Sequence, residues 1–326
     1  MAKSIATNDT IDSSALETPF TRRVKFSFLV SCQVPSALCS LTIFYYFIRL
    51  SELRAKKHNH AIICLLFCNF LIVTVELPIT LVYLYFGQLT PAVYSLCIYW
   101  VFVNFFLYTT SFWMMAVTSI QRYLFIFHRN LVNSHFKHYT PLALPTISYG
   151  IWYTVFIFFY PCQQDFDYTQ LWCMGACYAY EDVIGTVDWI LSSVIPILTT
   201  IVINVLLIIR VVYQKYKIQH IHTWRITRKL VSQLLSISLL FLSIYLPITL
   251  FALIRLWIDP SFLVTENALY FLYVGYLVPL LMPFICLISL PEIVKKIKTA
   301  CFCNNAINPQ QQQQQIPMSI VRRHHI

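Results

Sequence analysis

Eleven cysteines, nine histidines and thirteen acids are the residues of this 326-residue chain best suited to chemistry, and their positions exclude more than they allow. All nine histidines (His58, His60, His128, His135, His138, His220, His222, His324, His325) fall in polar stretches between or after long apolar runs. No run therefore offers the His and Asp ligands that a buried hydrolytic zinc needs, and the short His pairs read as solvated surface. No Gly-rich phosphate loop appears. Neither a metal site, a cofactor nor an enzyme is expected. One acid, Glu76, does stand inside an apolar run, two residues before Pro78. A charge at the middle of a bilayer costs at least about 2.5 to 3.5 kcal/mol, so Glu76 must face a wet cavity or a partner. It is the first candidate for ligand contact. Asp188, eight residues before Pro196, and Arg255, eight after Pro247, can line the same cavity from other walls. The plainer alternative is that a hydroxyl or Arg255 merely satisfies Glu76.

The elements that would position these groups follow from composition. Hydrophobic residues make up 58% and charged residues 11% of the chain, with 16% aromatic and a mean hydropathy of +0.66. A soluble domain carries about 25% charged residues, so a water-soluble globule is excluded. Apolar runs occupy roughly residues 25–49, 61–86, 95–127, 141–161, 187–213, 229–257 and 267–289. Each is long enough for a helix to cross about 30 Å of hydrocarbon, whereas a barrel would show short alternating segments. The fold class is all-α: an integral membrane bundle of seven transmembrane helices. The first run is too long for a cleaved signal peptide and stays as a span.

With the N-terminus outside and the C-terminus inside, eighteen of the 23 basic residues fall on the inner side and ten of the 13 acids on the outer. The positive-inside rule supports that orientation, against the pull of Arg22, Arg23 and Lys25 beside the first span. The basic total then reflects topology, and no nucleic-acid partner is implied. Residues 1–24 read as an extracellular tail holding one glycosylation sequon at Asn8, 25–289 as the bundle, and 290–303 as a short amphipathic helix on the bilayer surface. Residues 304–326, with six consecutive glutamines, read as a disordered cytoplasmic tail. Cys301 and Cys303 are candidates for palmitoylation. Four cysteines (Cys97, Cys162, Cys173, Cys177) lie on the oxidising side, where two disulfides can form. Cys97 would be tied to Cys177 or Cys173, and Cys162 to the remaining one; four cysteines allow three pairings.

The order of landmarks resembles the rhodopsin-like (class A) G-protein-coupled receptors, in a diverged form of the invertebrate kind. Ser119-Ile120-Gln121-Arg122-Tyr123 is similar to the family's Asp/Glu-Arg-Tyr motif, and Cys97 precedes Arg122 by 25 residues, the family spacing of its disulfide cysteine. Trp152 stands nine residues before Pro161, and span five holds Pro196. Span six has Phe241-x-x-Ile244-Tyr245-x-Pro247 and span seven Met282-Pro283-x-x-Cys286. Membrane helices accept such prolines where neighbours satisfy the freed carbonyls.

The resemblance implies a receptor at the plasma membrane that binds an extracellular ligand and activates a heterotrimeric G protein. Its coupling and switch residues would be Gln121, Arg122, Tyr123, Asn204, Phe241, Tyr245, Pro247, Pro283 and Cys286, and its pocket residues Glu76, Asn104, Asp188, Tyr245, Arg255 and Tyr276. Arg225, Arg228 and Lys229 in the third inner loop are further candidates for contact with the G protein. Asn104 stands where the family's amine receptors carry an aspartate, which disfavours a monoamine, and Tyr276 where opsins hold the Schiff-base lysine, which excludes retinal. An acidic outer loop favours a basic peptide. Asn69 and Met282 replace the aspartate and asparagine of the family's sodium cluster while Ser111 remains, so no sodium allostery is expected. The alternatives are a seven-span channel or transporter subunit, for which few polar residues line the spans, and a receptor-like scaffold that does not signal.

Gln121 is uncharged and Thr227 stands where an acid often sits, so restraint on Arg122 should be weak. Basal signalling follows: second-messenger levels in expressing cells should exceed those of mock-transfected cells, and equal levels would refute it.

Overall fold

The computed structural model describes residues 18–55, 57–127, 135–217, 221–259, 262, 266–290, 293–294 and 296. Seven helices are long and apolar enough to cross a membrane: α1 (Pro19–Arg49), α2 (Asn59–Phe86), α3 (Tyr94–Phe127), α4 (Tyr139–Phe158), α5 (Asp182–Tyr213), α6 (Leu235–Trp257) and α7 (Leu269–Ser289). No strand occurs among the described residues. Neighbours in sequence pack against each other around a ring closed by α7 against α1, except that α4 and α5 meet through side-chain hydrogen bonds, and α3 touches α2, α4, α5 and α6 from within. Burial agrees: 67% of the apolar window of α3 is enclosed, against 22% for α1 and for α4.

The polarity of the bundle runs opposite to that of a soluble protein. Leu144, Ile147, Ile151 and Val155 on α4, and Leu198, Val202, Val205 and Ile209 on α5, recur at helical spacing and are all exposed. Ser36, Asn69, Glu76, Thr80, Asn104 and Ser111 are buried instead. In water those apolar stripes would drive aggregation, whereas hydrocarbon solvates them and leaves polar groups to satisfy one another inside.

Two boundaries differ from the sequence reading. The extracellular tail assigned to 1–24 ends sooner, because the first helix begins at Pro19: the Thr18 side chain accepts the Thr21 N–H at 3.3 Å, and proline suits the first helical position. The helix of the sixth span runs unbroken over Ile221–Trp257. Arg225, Arg228 and Lys229 are therefore helical rather than part of a loop. Residues Leu290–Ile326 form a separate unit, in which Ile293, Val294 and Lys296 are helical. The remainder of the predicted surface helix, Cys301, Cys303, the glutamine tail and Asn8 lie outside the described residues.

Prolines shape the spans that hold the candidate site. Proline lacks an N–H, and its ring crowds the carbonyl four residues earlier. In α2 the helix widens to a π turn over Ile72–Glu76, ending two residues before Pro78, so that the Leu77 N–H bonds to Ile72 O rather than Val73 O. Gln33 of α1 donates its amide to the freed Val73 carbonyl at 2.8 Å. The same device recurs in α5, where Ile190–Val194 is a π turn before Pro196 and Ile195 bonds to Ile190 O. The spare Leu191 carbonyl accepts Trp113 Nε1 at 3.1 Å and Tyr149 OH at 3.0 Å. In α7, Pro279 cannot serve the Gly275 carbonyl, and Tyr245 of α6 donates its hydroxyl there at 3.0 Å. Each irregular turn thus becomes a bond between spans, as low-dielectric surroundings require of any exposed backbone group.

Gly185, one turn into α5, has room for no side chain: a Cβ would overlap the Ala179 carbonyl of the preceding loop, whereas at Gly150 in α4 the nearest atom to a Cβ is Phe106 Cε2 at an ordinary 3.5 Å. Gly185→Ala should lower stability by about 1 to 3 kcal/mol through overpacking. Gly150→Ala should be neutral or raise it by up to about 1 kcal/mol. Thermal unfolding of the purified protein in micelles separates the two.

Candidate functional site

The loop between α4 and α5 reaches into the bundle because it is pinned at both ends. Cys97 at the start of α3 is bonded to Cys173, and Cys162 to Cys177, which decides among the pairings the sequence left open. Tyr83 OH donates to Thr169 O at 3.1 Å, and Leu89 N to Tyr168 O at 2.8 Å, tying the loop to α2 and the turn after it. Asp167 closes the turn by accepting Thr169 N at 2.9 Å, Thr169 Oγ1 at 2.6 Å and Gln170 Nε2 at 3.0 Å. Partial burial opposes its charge, but these donors prevail and hold the carboxyl below its ordinary range. Three successive residues, Trp172 (φ 54), Cys173 (φ 50) and Met174 (φ 73), then adopt left-handed backbone. Such conformations cost side-chain-bearing residues roughly 1 to 2 kcal/mol each and persist only where the surroundings impose them. Here they turn the Trp172 indole inward.

That indole meets Glu76. Glu76 ends the π turn of α2 and is 0% exposed. Its Oε1 accepts five donors: Tyr276 OH at 2.7 Å, Thr80 Oγ1 at 3.0 Å, Trp100 Nε1 at 3.2 Å, Asn104 Nδ2 at 3.2 Å and Trp172 Nε1 at 3.3 Å. These come from α7, α2, α3, α3 and the loop. Thr80 Oγ1 and Tyr276 OH also stand 2.8 Å apart, so with two hydroxyl protons for three contacts a bond between them takes the place of one of their bonds to Glu76. Burying a carboxylate is tolerable only when protein dipoles replace its water, and this donor set does so for one oxygen.

A cavity of about 550 Å³ lies beside this cluster, bounded by α3, α5, α6, α7 and the loop. Asn104, Asp188 and Tyr245 line it, together with Trp172 and Tyr108. Glu76 and Tyr276 are not in its wall; they sit behind Asn104 and Trp172. Arg255, half-buried near the outer end of α6, also falls outside the wall, although Ala252 and Leu256 beside it take part. The Glu76–Arg255 pair weighed from sequence is not formed; hydroxyl, indole and amide donors meet one carboxyl oxygen instead. Glu181, Asp182 and Asp188 bring three carboxylates to the cavity, and no Lys, Arg or His lines it among the described residues. Asp188 accepts Trp152 Nε1 at 2.8 Å and Tyr178 OH at 3.2 Å. Burial and the neighbouring Asp188 push the Tyr178 phenol up, so it stays a donor. A second cleft of about 690 Å³, among α1 to α4, has no charged side chain among the described residues of its lining, and its polar groups are the hydroxyls of Thr110, Tyr139 and Thr146.

From the Glu76 cluster an aromatic chain descends toward Pro247. Tyr276 meets Tyr108 (6.0 Å between centroids), Tyr108 meets Phe112 (6.4 Å), and Phe112 meets both Tyr245 (4.7 Å) and Phe241 (5.5 Å). Deeper still, Ser111 reaches Asn69 Oδ1 at 3.5 Å and Met282 is enclosed, so no carboxylate stands where the sodium cluster was sought. Near the inner end Gln121, Arg122 (2% exposed), Asn204, Pro283 and Cys286 are buried, while the Arg210 guanidinium lies over the rings of Tyr123 and Phe127 at 5.3 Å from each. No three His, Cys, Asp or Glu side chains converge to hold a metal among the described residues. The arrangement can bind, and transmit binding by repacking.

A family model, 7 transmembrane receptor (rhodopsin family), matches residues 39–286, well over half of the chain. The chain belongs to this family. Its members are signalling receptors, so this is a multi-pass membrane G-protein-coupled receptor and not an enzyme. A crystal structure of squid rhodopsin matches with a TM-score of 0.67 and 17% identity over 92% of this chain and 93% of that one, a likeness of fold alone. No curated protein sequence matches.

The sequence reading of the receptor missed most of the groups around Glu76. Thr80 was within reach of it, one helical turn on from Glu76 and hence on the same face. Trp100 and Trp172 were not, since only the folded loop and the α2–α3 packing bring their indoles to that carboxylate. Tyr276 supplies the shortest of the five bonds, and Tyr276→Phe removes it while leaving the ring. Loss of a hydrogen bond to a charged buried group should cost about 1.5 to 3 kcal/mol, read as a lower unfolding midpoint with both disulfides intact.

Proposed function

We propose that this receptor binds an extracellular ligand in the cavity over Asn104 and Tyr245 and activates a heterotrimeric G protein through the surface around Arg122, at the plasma membrane with its N-terminus outside. One observation carries the reading. The cavity wall is continuous, through Tyr108 and Phe112, with Tyr245 and Phe241, which stand two and six residues before Pro247 in α6. A ligand that favours a contracted cavity would press on that chain. Its differential affinity for the two arrangements would then set how far the inner end of α6 moves and how much of Arg122 the G protein meets.

The ligand is a peptide in preference to a monoamine. Asn104 is neutral where a small amine would need its counter-ion, whereas the carboxylates of Glu181, Asp182 and Asp188 are spread along the wall, as suits several contacts with an extended basic ligand. The same charges would speed its approach at low ionic strength.

Guanine-nucleotide exchange on a panel of G proteins, in membranes holding the wild type or Arg122→Ala at matched surface expression, tests the coupling. Basal or extract-stimulated exchange should fall at least about tenfold in the variant, the loss of one charge-assisted contact. Equal exchange across the panel would remove Arg122 from the transducer site.

A further inference from the structure

Glu76 is half-satisfied. All five donors converge on Oε1, while Oε2 is buried with no hydrogen-bond partner. The two oxygens of a carboxylate share its charge, so an unsolvated Oε2 in the core of a membrane protein is a cost that the other bonds do not remove. Among the described residues no basic side chain supplies the missing partner: the five donors are hydroxyl, amide and indole groups. Two of them, Asn104 and Trp172, separate the carboxylate from the cavity, and they differ in how firmly they are placed. Asn104 is fixed on α3. Trp172 belongs to the loop, makes the longest of the five bonds, and stands on left-handed backbone that an altered loop would relax.

We infer that Glu76 Oε2 is the docking point for a cationic nitrogen of the ligand, an ammonium or guanidinium group, which reaches it by displacing the Trp172 indole. The inference deepens the binding role proposed above and rests on it. A cation entering the cavity meets three carboxylates and no opposing base, between aromatic faces that favour it. At Glu76 it gives Oε2 the charge-assisted bond it lacks, and the four remaining donors keep Oε1 solvated after the indole leaves. In the unliganded receptor Trp172 closes the route. Exchange of indole for cation therefore couples ligand chemistry to loop position, and through Tyr276 and Tyr108 to the chain that ends at Tyr245.

Full-length receptor in micelles, titrated with the Nα-acetylated amides of arginine, of lysine and of citrulline, the last an uncharged isostere of the first, up to about 10 mM, where a ligand of millimolar affinity is near saturation, gives the test as a shift in unfolding midpoint. Both cationic amides should stabilise the wild type and citrulline amide should not, with the stronger of the two identifying the ammonium or the guanidinium. Glu76→Gln should weaken the response at least about tenfold, and Trp172→Phe, which keeps a ring but loses the competing N–H, should strengthen it about fivefold. No shift from either cation, an equal shift from citrulline amide, or an undiminished response in Glu76→Gln would overturn the inference. Should Glu76→Gln fail to fold, Trp172→Phe decides: weaker binding there refutes displacement. No G protein takes part, so a receptor that binds these amides yet catalyses no nucleotide exchange refutes the coupling and leaves the site standing.

Discussion

A carboxylate enclosed at the heart of a hydrocarbon-solvated bundle must be solvated by protein, and much of the outer half of this receptor is arranged to do that for Glu76. Its oxygen draws Thr80 from its own helix, Trp100 and Asn104 from α3, Tyr276 from α7 and Trp172 from a loop that two disulfides press inward. Each of those groups is an element held in register by a polar bond that lipid cannot replace. Apolar contact alone would not achieve this, since a leucine gains as little from another helix as from an acyl chain. The bundle is held by packing everywhere, but in the half that holds the cavity its alignment is also specified by the bonds that converge on this carboxyl.

The prolines act by the same rule from the opposite side. At three places where a proline or a π turn disturbs the helix, a side chain of a neighbouring span bonds the backbone carbonyl: Gln33 at Val73, Trp113 and Tyr149 at Leu191, Tyr245 at Gly275. The irregularities that would weaken a soluble helix become the joints of the membrane bundle. Glu76 itself stands at such a place, because the wide turn before Pro78 rotates it inward to face Asn104 and Tyr276.

The spans, the family and the inner motif were legible in the sequence, because they depend on hydrophobic length and on short spacings along one helix. Glu76, Asn104, Asp188 and Tyr245 could be picked out as polar or aromatic groups inside apolar runs. Which of them touch could not. Glu76 and Tyr276 are 200 residues apart, and their meeting depends on a π turn that no periodicity announces. Trp172 was invisible for a related reason: three left-handed residues in a row run against local preference, and only two disulfides acting together impose them. Arg255 was misjudged because spacing from Pro247 gives height in the membrane but not which way the helix turns its face.

The unbroken helix Ile221–Trp257 has a mechanical consequence. Pro247 divides it unequally, with ten residues toward the outer end and twenty-six toward the inner, or about 15 Å and 39 Å at 1.5 Å per residue. If the helix tilts as a stiff rod about that fulcrum, every ångström at the outer tip becomes roughly 2.6 Å at the inner one. A side-chain exchange of modest size beside the cavity would then suffice to part the ends of the helices farthest from it, and lengthening or shortening the longer arm would alter the gain without touching the ligand's grip.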